Sequence, residues 1–320
     1  MTKVHIIFLL LIFSKSYGKL KRRPFYKESD IQKNFNPAYL LNYDYLTEPL
    51  TENPITSTSI DINIVVPQYK LHTCIIGKNL SNMIWSVFCY LYNSKVFKSK
   101  YKYLKDNYWS KNICSRNIVE SSVKKTAIKF NKKRMIRFVR EWKHLMIIRH
   151  PVDRFISAFT SLCVRNKNET GNNRACFTCG SDMKCLLNNI YYQMESFLRK
   201  NKKFDHALVY NFFPQTWQCQ YPEYKKFYRI LKYDPSNLEQ FYEEFISILE
   251  NQGISESIVT HINYEIRNTT SIYGKKHYDN INYYKTELYN NSYLLKMISI
   301  IYYNDFKEFN FDFPVPKIKI

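Results

Sequence analysis

The run from Leu145 to Phe159 limits the folds open to this chain more than any other segment. Leu145–Ile148 is an apolar stretch of strand length, Arg149-His150 follows it, and Pro151 stands where a helix begins. Behind the proline, Phe155, Ile156, Phe159, Leu162 and Cys163 recur at helical spacing and make one apolar face, with Arg154, Ser157 and Ser161 together beside it. One cation therefore leaves the carboxyl end of a strand, and a second cation and a hydroxyl ride the first turns of the next helix. Guanidinium forks, a serine hydroxyl and the N–H groups of a helix start are good donors for a phosphate monoester. A plain capping turn, its arginine paired with a surface carboxylate, has the same local sequence. A second unit of the same kind is needed to choose between them.

Thr73–Trp85 supplies one. The apolar Cys74-Ile75-Ile76 runs into Gly77-Lys78-Asn79-Leu80-Ser81, and an apolar helical pattern follows from Asn82. Ser81 occupies the expected N-cap position, and the loop has the layout of a phosphate cradle in which backbone N–H groups and a lysine converge at a helix start. It is not a Walker A sequence, because the second glycine and the adjacent Lys-Ser/Thr pair are missing.

Composition narrows the setting. The 320 residues carry 48 Lys+Arg against 27 Asp+Glu, a formal net charge of +21, which points to an anionic partner: nucleic acid, an acidic membrane or a polyanionic polysaccharide. A coding bias toward Lys, Asn, Ile and Tyr, with only 6 Gly, gives the same trend, so charge alone does not choose. The N-terminus does. Lys3 precedes an apolar run from Val4 to Phe13, and Ser16-Tyr17-Gly18 offers small residues at a cleavage site. That run is short of the roughly 20 residues a membrane span needs. Residues 1–18 are expected to be a signal peptide, with a short membrane anchor as the alternative and Lys15, Lys19, Lys21, Arg22 and Arg23 beside it. Either places the body of the chain in the secretory pathway and argues against nucleic acid as a partner.

Eight cysteines fit an oxidising compartment, with pairing left open. Cys176-x2-Cys179-x5-Cys185 reads as half a zinc site, but no second pair follows at zinc spacing, so no metal is expected and a loop staple is preferred. Sequons at Asn168, Asn268 and Asn290 agree with export, whereas Asn79-Leu80-Ser81 is expected to be buried and unused.

Residues 19–65, proline-bearing and without period, read as a stem or linker, and 66–320 as the folded domain. Strands are expected at 70–76 and 145–148. Helices are expected at 82–92, 118–130, from Pro151, and at 182–199, 238–250 and 286–309, with a loop at 166–180. Strands alternating with helices give an α/β class, a P-loop-like parallel sheet flanked by helices on both faces.

A Lys/Ser loop followed about 70 residues later by Arg-x-Pro-x-x-Arg-x-x-Ser resembles the sulfotransferases that use 3′-phosphoadenosine 5′-phosphosulfate (PAPS). The nearest likeness is to the Golgi carbohydrate sulfotransferases of the chondroitin type, in a divergent, nematode-like branch. Phe212–Cys219 resembles the family's Pro-Gln segment, Thr269-Thr270-Ser271 its polar stretch before the last helices, and Ile301–Phe309 its Tyr-Tyr-x-Asp-Phe ending. The likeness runs over roughly 66–315.

The resemblance implies that Lys78 and Ser81, with the backbone of Asn79 to Asn82, hold the 5′-phosphosulfate, and that Lys78 offsets charge on the bridging oxygen. Arg149 and Ser157 would grip the 3′-phosphate, supported by Arg154. It further implies in-line sulfuryl transfer to a hydroxyl of an acidic polysaccharide, chondroitin or a relative, with no metal. The chain departs from the pattern at Leu80, where a small residue is common and a leucine would crowd the cradle, at His150 for Asp, and at Asn211 for a histidine. The general base is therefore open, with His206 the first candidate and His150 and Glu141 behind it. Two other readings stay in play. One is a secreted relative that binds polyanions without catalysis; the other is a kinase or nucleotide hydrolase, for which no acidic Mg²⁺ partner is identifiable.

Overall fold

A computed structural model describes residues 61–107, 114–165, 174–200, 205–268 and 275–315. The expected signal, nearly all of the stem, the Asn168 sequon and Thr269–Ser271 lie outside these residues.

Five strands, β1 (Ile62–Val66), β2 (Leu71–Ile75), β3 (Val119–Glu120), β4 (Lys143–Arg149) and β5 (Tyr228–Tyr233), form one sheet in the order β3-β1-β2-β4-β5. β2, β4 and β5 are parallel, which is the expected arrangement. β1 is antiparallel to both its neighbours, an edge that the sequence reading does not contain. The reason is the connection: only the turn Pro67–Tyr69 and Lys70, at φ 46°, separate β1 from β2, far too little chain for a parallel crossover. The sheet thus starts at Ile62, ahead of the expected boundary at 66.

Alternate residues of the central strands face two cores. Leu71, Ile75, Leu145 and Ile147 pack with α1 (Ser81–Tyr92) and with the later helix Leu238–Asn251. Cys74, Ile76, Met146 and Ile148 meet Tyr221 and Phe309 on the other side. The chain continues from α1 through α2 (Ser94–Lys100), α3 (Val123–Phe130) and α4 (Met135–Glu141) to β4, and then α5 (Pro151–Phe159). Next come α6 (Met183–Lys200) and α7 (His206–Phe212), and α8 (Leu238–Asn251) and α9 (Glu256–Asn268) after β5. The last helices are α10 (Lys275–Tyr289), α11 (Ser292–Ile301) and α12 (Tyr303–Glu308). Residues from α5, α6, α7, α10, α11 and α12 build a third core.

Two expected helices are divided. The one over 118–130 begins only at Val123, where Ser122 accepts from Lys125 N, and β3 occupies 119–120. The one over 286–309 breaks before Ser292, where Asn291 accepts from Tyr293 N and Leu294 N. In both, a short polar side chain satisfies helix-start N–H groups and so sets a new helix origin inside a continuous apolar pattern.

Inside the sheet, His72 and His144 sit opposite each other on β2 and β4, with their Nδ1 atoms 2.8 Å apart. His144 Nε2–H donates to Phe138 O at 3.0 Å, so its Nδ1 accepts from His72 Nδ1–H. Burial holds both imidazoles below their ordinary pKa, His144 at about 4. His72 Nε2 lies 3.0 Å from Asn63 Oδ1; with both rings neutral it needs a donor, which that carboxamide supplies once turned over to present its otherwise unpartnered NH₂. These histidines are therefore committed to joining strands.

All eight cysteines are paired, as Cys74–Cys219, Cys89–Cys114, Cys163–Cys176 and Cys179–Cys185. The Cys176–Cys185 run is a loop staple. Cys74–Cys219 fastens β2 to the segment after Trp217 across a sequence separation of 145, against 6 for Cys179–Cys185. Loop-closure entropy gives about 5 kcal/mol for the first crosslink and about 2 kcal/mol for the second. Urea unfolding under non-reducing conditions is expected to rank Cys74→Ala/Cys219→Ala as the more damaging pair by about 2–3 kcal/mol.

Candidate anion-binding site

The two sequence units lie side by side, because β2 and β4 are adjacent and parallel and their carboxyl ends open on the same edge. β2 ends at Ile75, and Ile76-Gly77-Lys78-Asn79-Leu80 turns into α1. Lys78 (φ 70°) and Leu80 (φ 56°) are left-handed while Asn79 between them is not. That alternation turns successive N–H groups toward one side. Leu80, not Ser81, is the N-cap, and it provides no side-chain cap. The first bond of the helix runs from Ile84 N to Leu80 O at 3.0 Å, so the N–H groups of Ser81, Asn82 and Met83 face out of the helix start. The left-handed Leu80 moves Ser81 into the first turn, where its hydroxyl bonds the buried Tyr210. The Leu80 side chain packs onto the main core and does not crowd the loop as expected.

Gly77 is required by close approach. Its N–H donates to Tyr210 O at 3.1 Å, and a Cβ there would lie 2.5 Å from that same oxygen and 2.9 Å from Asn211 Oδ1. The carboxyl end of α7 is thus seated directly on the loop.

Arg154, expected to support anion binding, has a different task. It is 1% exposed, and its Nε, Nη1 and Nη2 donate to Gly77 O (3.0 Å), Phe213 O (2.8 Å) and Tyr210 O (3.0 Å). Its fork is consumed in holding the loop against α7. Asn79 is likewise occupied: its Nδ2 donates to Ile147 O (2.9 Å) and Gln215 Oε1 (2.6 Å). Its Nδ2 is therefore unavailable to a ligand, its N–H makes a long bond of 3.4 Å to Ile76 O, and burial puts its sequon out of reach.

Lys78 and Arg149 are the convergent cations. Arg149 Nη1 donates to Lys78 O at 3.1 Å, and its guanidinium lies 5.1 Å from the centre of the Tyr233 ring. Its buried Nε has no hydrogen-bond partner among the described residues. Lys78 Nζ donates to Ser161 Oγ at 2.5 Å. Ser161 lies in a π-helical turn, Thr160–Val164, that continues α5. Burial, with Arg165, Arg149 and Arg154 adding repulsion, lowers the Lys78 pKa to about 8. Burial also holds Arg149 below its ordinary range. Ser157, one turn before Ser161 on α5, is half-buried. Two cations with no ion-pair partner among the described residues, Asp153 and Asp234 acting on Arg149 only at longer range, combine with an orphaned buried guanidinium nitrogen and an uncapped helix start to fit a phosphorylated anion.

The backbone of Arg149 is held by a side chain. Gln215 Oε1 accepts from Arg149 N and Gln215 Nε2 donates to Arg149 O, both at 2.9 Å, as a neighbouring strand would. Asp305 in turn accepts from Gln215 N (2.8 Å), Thr216 N (2.9 Å) and Thr216 Oγ1 (2.9 Å). The Pro-Gln segment and the Tyr-Tyr-Asn-Asp-Phe ending are therefore one buried brace beneath the site. Tyr210, Gln215, Asp305 and the lysine-bound Ser161 are absent from the site residues expected from sequence. Only Ser161 carries a local signal, its place one turn after Ser157.

The candidate bases are scattered. His206 is exposed at the start of α7. His150 points Nε2 at Asp312 O (3.3 Å), between the rings of Phe306 and Phe311, and burial lowers its pKa. Glu141 is at the opposite edge of the sheet, paired with Lys70 and Arg137, and drops out. Asn211 offers a carboxamide whose Nδ2 donates to Ala207 O.

Fold and site together define an α/β protein in which two cations, Lys78 and Arg149, converge at the carboxyl edge of a parallel sheet. Residues 63–312 match the model of the sulfotransferase family, and the chain belongs to that family. It is similar to the Caenorhabditis elegans protein vep-2, whose name marks its sulfotransferase assignment as provisional, at 28% identity over 63% of this chain and 61% of that protein. It is also similar to the carbohydrate sulfotransferase chst-1 of the same organism, at 23% identity over 78% of this chain and 74% of that protein. The chain thus spans about three-fifths of the length of vep-2. No solved structure matches.

Gly77→Ala is expected to cost about 1–3 kcal/mol through the clash with Tyr210 O. Arg154→Lys keeps the charge and loses the fork, with an expected cost of about 3 kcal/mol from carbonyls left without donors. Urea midpoints read both. A neutral result for Arg154→Lys would show that the three carbonyl bonds do not hold the loop.

Proposed function

We propose that this protein transfers a sulfuryl group from PAPS to a hydroxyl of a carbohydrate, with a chondroitin-type glycosaminoglycan as acceptor, in the secretory pathway. The observation that carries the reading is the convergence of Lys78 and Arg149 at two neighbouring strand-to-helix turns, beside the uncapped start of α1. Sulfotransferase family membership supports sulfuryl transfer. The name of chst-1 supports a carbohydrate acceptor, and the net charge of +21 suits an acidic one. Four disulfides suit an oxidising lumen.

When bound, the nucleotide supplies an activated sulfuryl group: the acceptor oxygen bonds to sulfur as the sulfur–oxygen bond to the 5′-phosphate breaks. The N–H groups from Asn79 to Asn82 and the Lys78 ammonium hold the 5′ end, with Ser81 close by. Lys78 stabilises the negative charge that grows on the departing phosphate oxygen, a charge term of the kind that dominates such transfers. Arg149 and Ser157 hold the 3′-phosphate, while Arg154 keeps the loop in place for both. The acceptor proton goes to a base, for which His206 is the first candidate and His150 the second. A polysaccharide-binding relative without transfer is the second reading, favoured by the carboxamide of Asn211 against the loop and by the exposure of His206. Transfer of labelled sulfate to a panel of desulfated glycosaminoglycans distinguishes the two and names the acceptor. No transfer to any member overturns the first reading.

Calorimetry with 3′-phosphoadenosine 5′-phosphate is expected to show binding by the wild type and its loss in Lys78→Ala and Arg149→Ala. Because an anion favours the charged lysine, the bound-state pKa of Lys78 rises above its free value of about 8. Affinity is therefore expected to be flat between about pH 7, where both phosphates are fully ionised, and about pH 8, and to weaken by up to about tenfold per pH unit above that. A flat profile to pH 10 would remove Lys78 from the site.

A further inference from the structure

The helices α3 and α4, outside the β1–β3 side of the sheet, carry a second concentration of positive charge. Nine of the twenty residues from 124 to 143 are Lys or Arg, all nine are exposed, and Glu141 is the one acid among them. They lie on α3, on α4 and on the turn between, where Lys132 (φ 49°) and Lys133 (φ 63°) are both left-handed. The apolar faces of these helices are turned inward through Val123, Ala127, Phe138 and Trp142. Glu120 takes Lys129, and Glu141 takes Lys70 and Arg137. Lys132, Lys133, Arg134 and Arg140 have no carboxylate partner among the described residues. On one side the patch ends at Lys143, where a cleft of about 470 Å³ brings in Glu243 and Glu244.

Topology separates the α4 end of this face from the anion site. Lys143 N donates to Lys70 O at 2.9 Å, and Lys70 pairs with Glu141 at 3.2 Å, so α4 ends at the amino edge of β2 and β4. Lys78 and Arg149 lie beyond the carboxyl edge, and the seven residues of β4 span roughly 20 Å.

We propose that the exposed face of α3 and α4 is a docking surface for a linear polyanionic polysaccharide, separate from the Lys78–Arg149 site. The charges are spread along two helices and their turn, which suits an extended polymer better than a single phosphate. Ile128 and Ile136 are the exposed large aliphatics of this face, and no aromatic ring is exposed there. A membrane-lying helix needs a broad apolar face, and here that face is buried. The inference rests on the proposed function in one respect, that a polysaccharide is the acceptor. The docking surface then holds chain several sugars away from the reacting hydroxyl.

The test uses the full chain and size-defined fluorescent chondroitin sulfate and heparin. The variant Lys132→Glu/Lys133→Glu/Arg134→Glu/Arg140→Glu is expected to bind both about tenfold or more weakly, and the same four positions changed to Gln to fall between it and wild type. Lys78→Ala is expected to bind the long chains as wild type does. Thermal melts matching wild type confirm that these exposed changes leave the fold intact, and the Gln set serves if reversal disturbs it. Undiminished binding in the Glu variant overturns the proposal, as does loss confined to Lys78→Ala. Patch-dependent binding of phosphatidylserine–phosphatidylcholine vesicles with none of the polysaccharides overturns it in favour of a membrane surface. If no sulfate transfer is found but binding still follows the patch, the transfer reading fails and the docking surface stands.

Discussion

A buried guanidinium holds this site together. Arg154 carries a full charge into the interior with no carboxylate bonded to it, and what makes that tolerable is three carbonyl acceptors at 2.8–3.0 Å. Those carbonyls belong to the loop after β2, to the end of α7 and to the start of the Pro-Gln segment. One side chain from α5 therefore sets the relative position of three elements from distant parts of the chain. The glycine at 77 follows from the same contact, because the loop and α7 are drawn too close for a Cβ.

Around that anchor, each layer orients the next. Asp305 fixes Gln215 and Thr216, Gln215 fixes the backbone of Arg149 and the side chain of Asn79, and Asn79 fixes the loop. Burial raises the Asp305 carboxyl, while its backbone donors and Arg154 pull the other way. With Arg154 and Asn79 occupied by protein groups, Lys78 and Arg149 are the cations left to face a ligand. Burial first, and repulsion from Arg165, Arg149 and Arg154 second, depress the lysine, and an anion would relieve that repulsion. The positive charge on α3 and α4 is of another kind: exposed, well hydrated and running toward the far edge of the sheet, where α4 ends.

Much of the scaffold was legible because it is written in local periodicity. The strand before Arg149, the helix from Pro151 and the helix after Lys78 are read from apolar spacing and from Gly and Pro. Two such units in series already imply adjacent parallel strands with their turns at one edge. Where local reading failed, a side chain acted across the fold or a cap cut a continuous pattern. Ser122 and Asn291 start new helices inside apolar runs, and a three-residue turn makes the edge of the sheet antiparallel.

The sequence by itself determined which cations stand at which strand-to-helix turns, since residue type and helix-start position are local properties. The tertiary structure alone decided how those residues divide the work. Arg149 and Arg154 are both arginines of one motif, yet one meets the backbone of the loop with an orphaned nitrogen beside it and the other is sealed among carbonyls. That difference rests on desolvation and on acceptors contributed from some 60 to 80 residues away. No spacing rule within the motif encodes such partners.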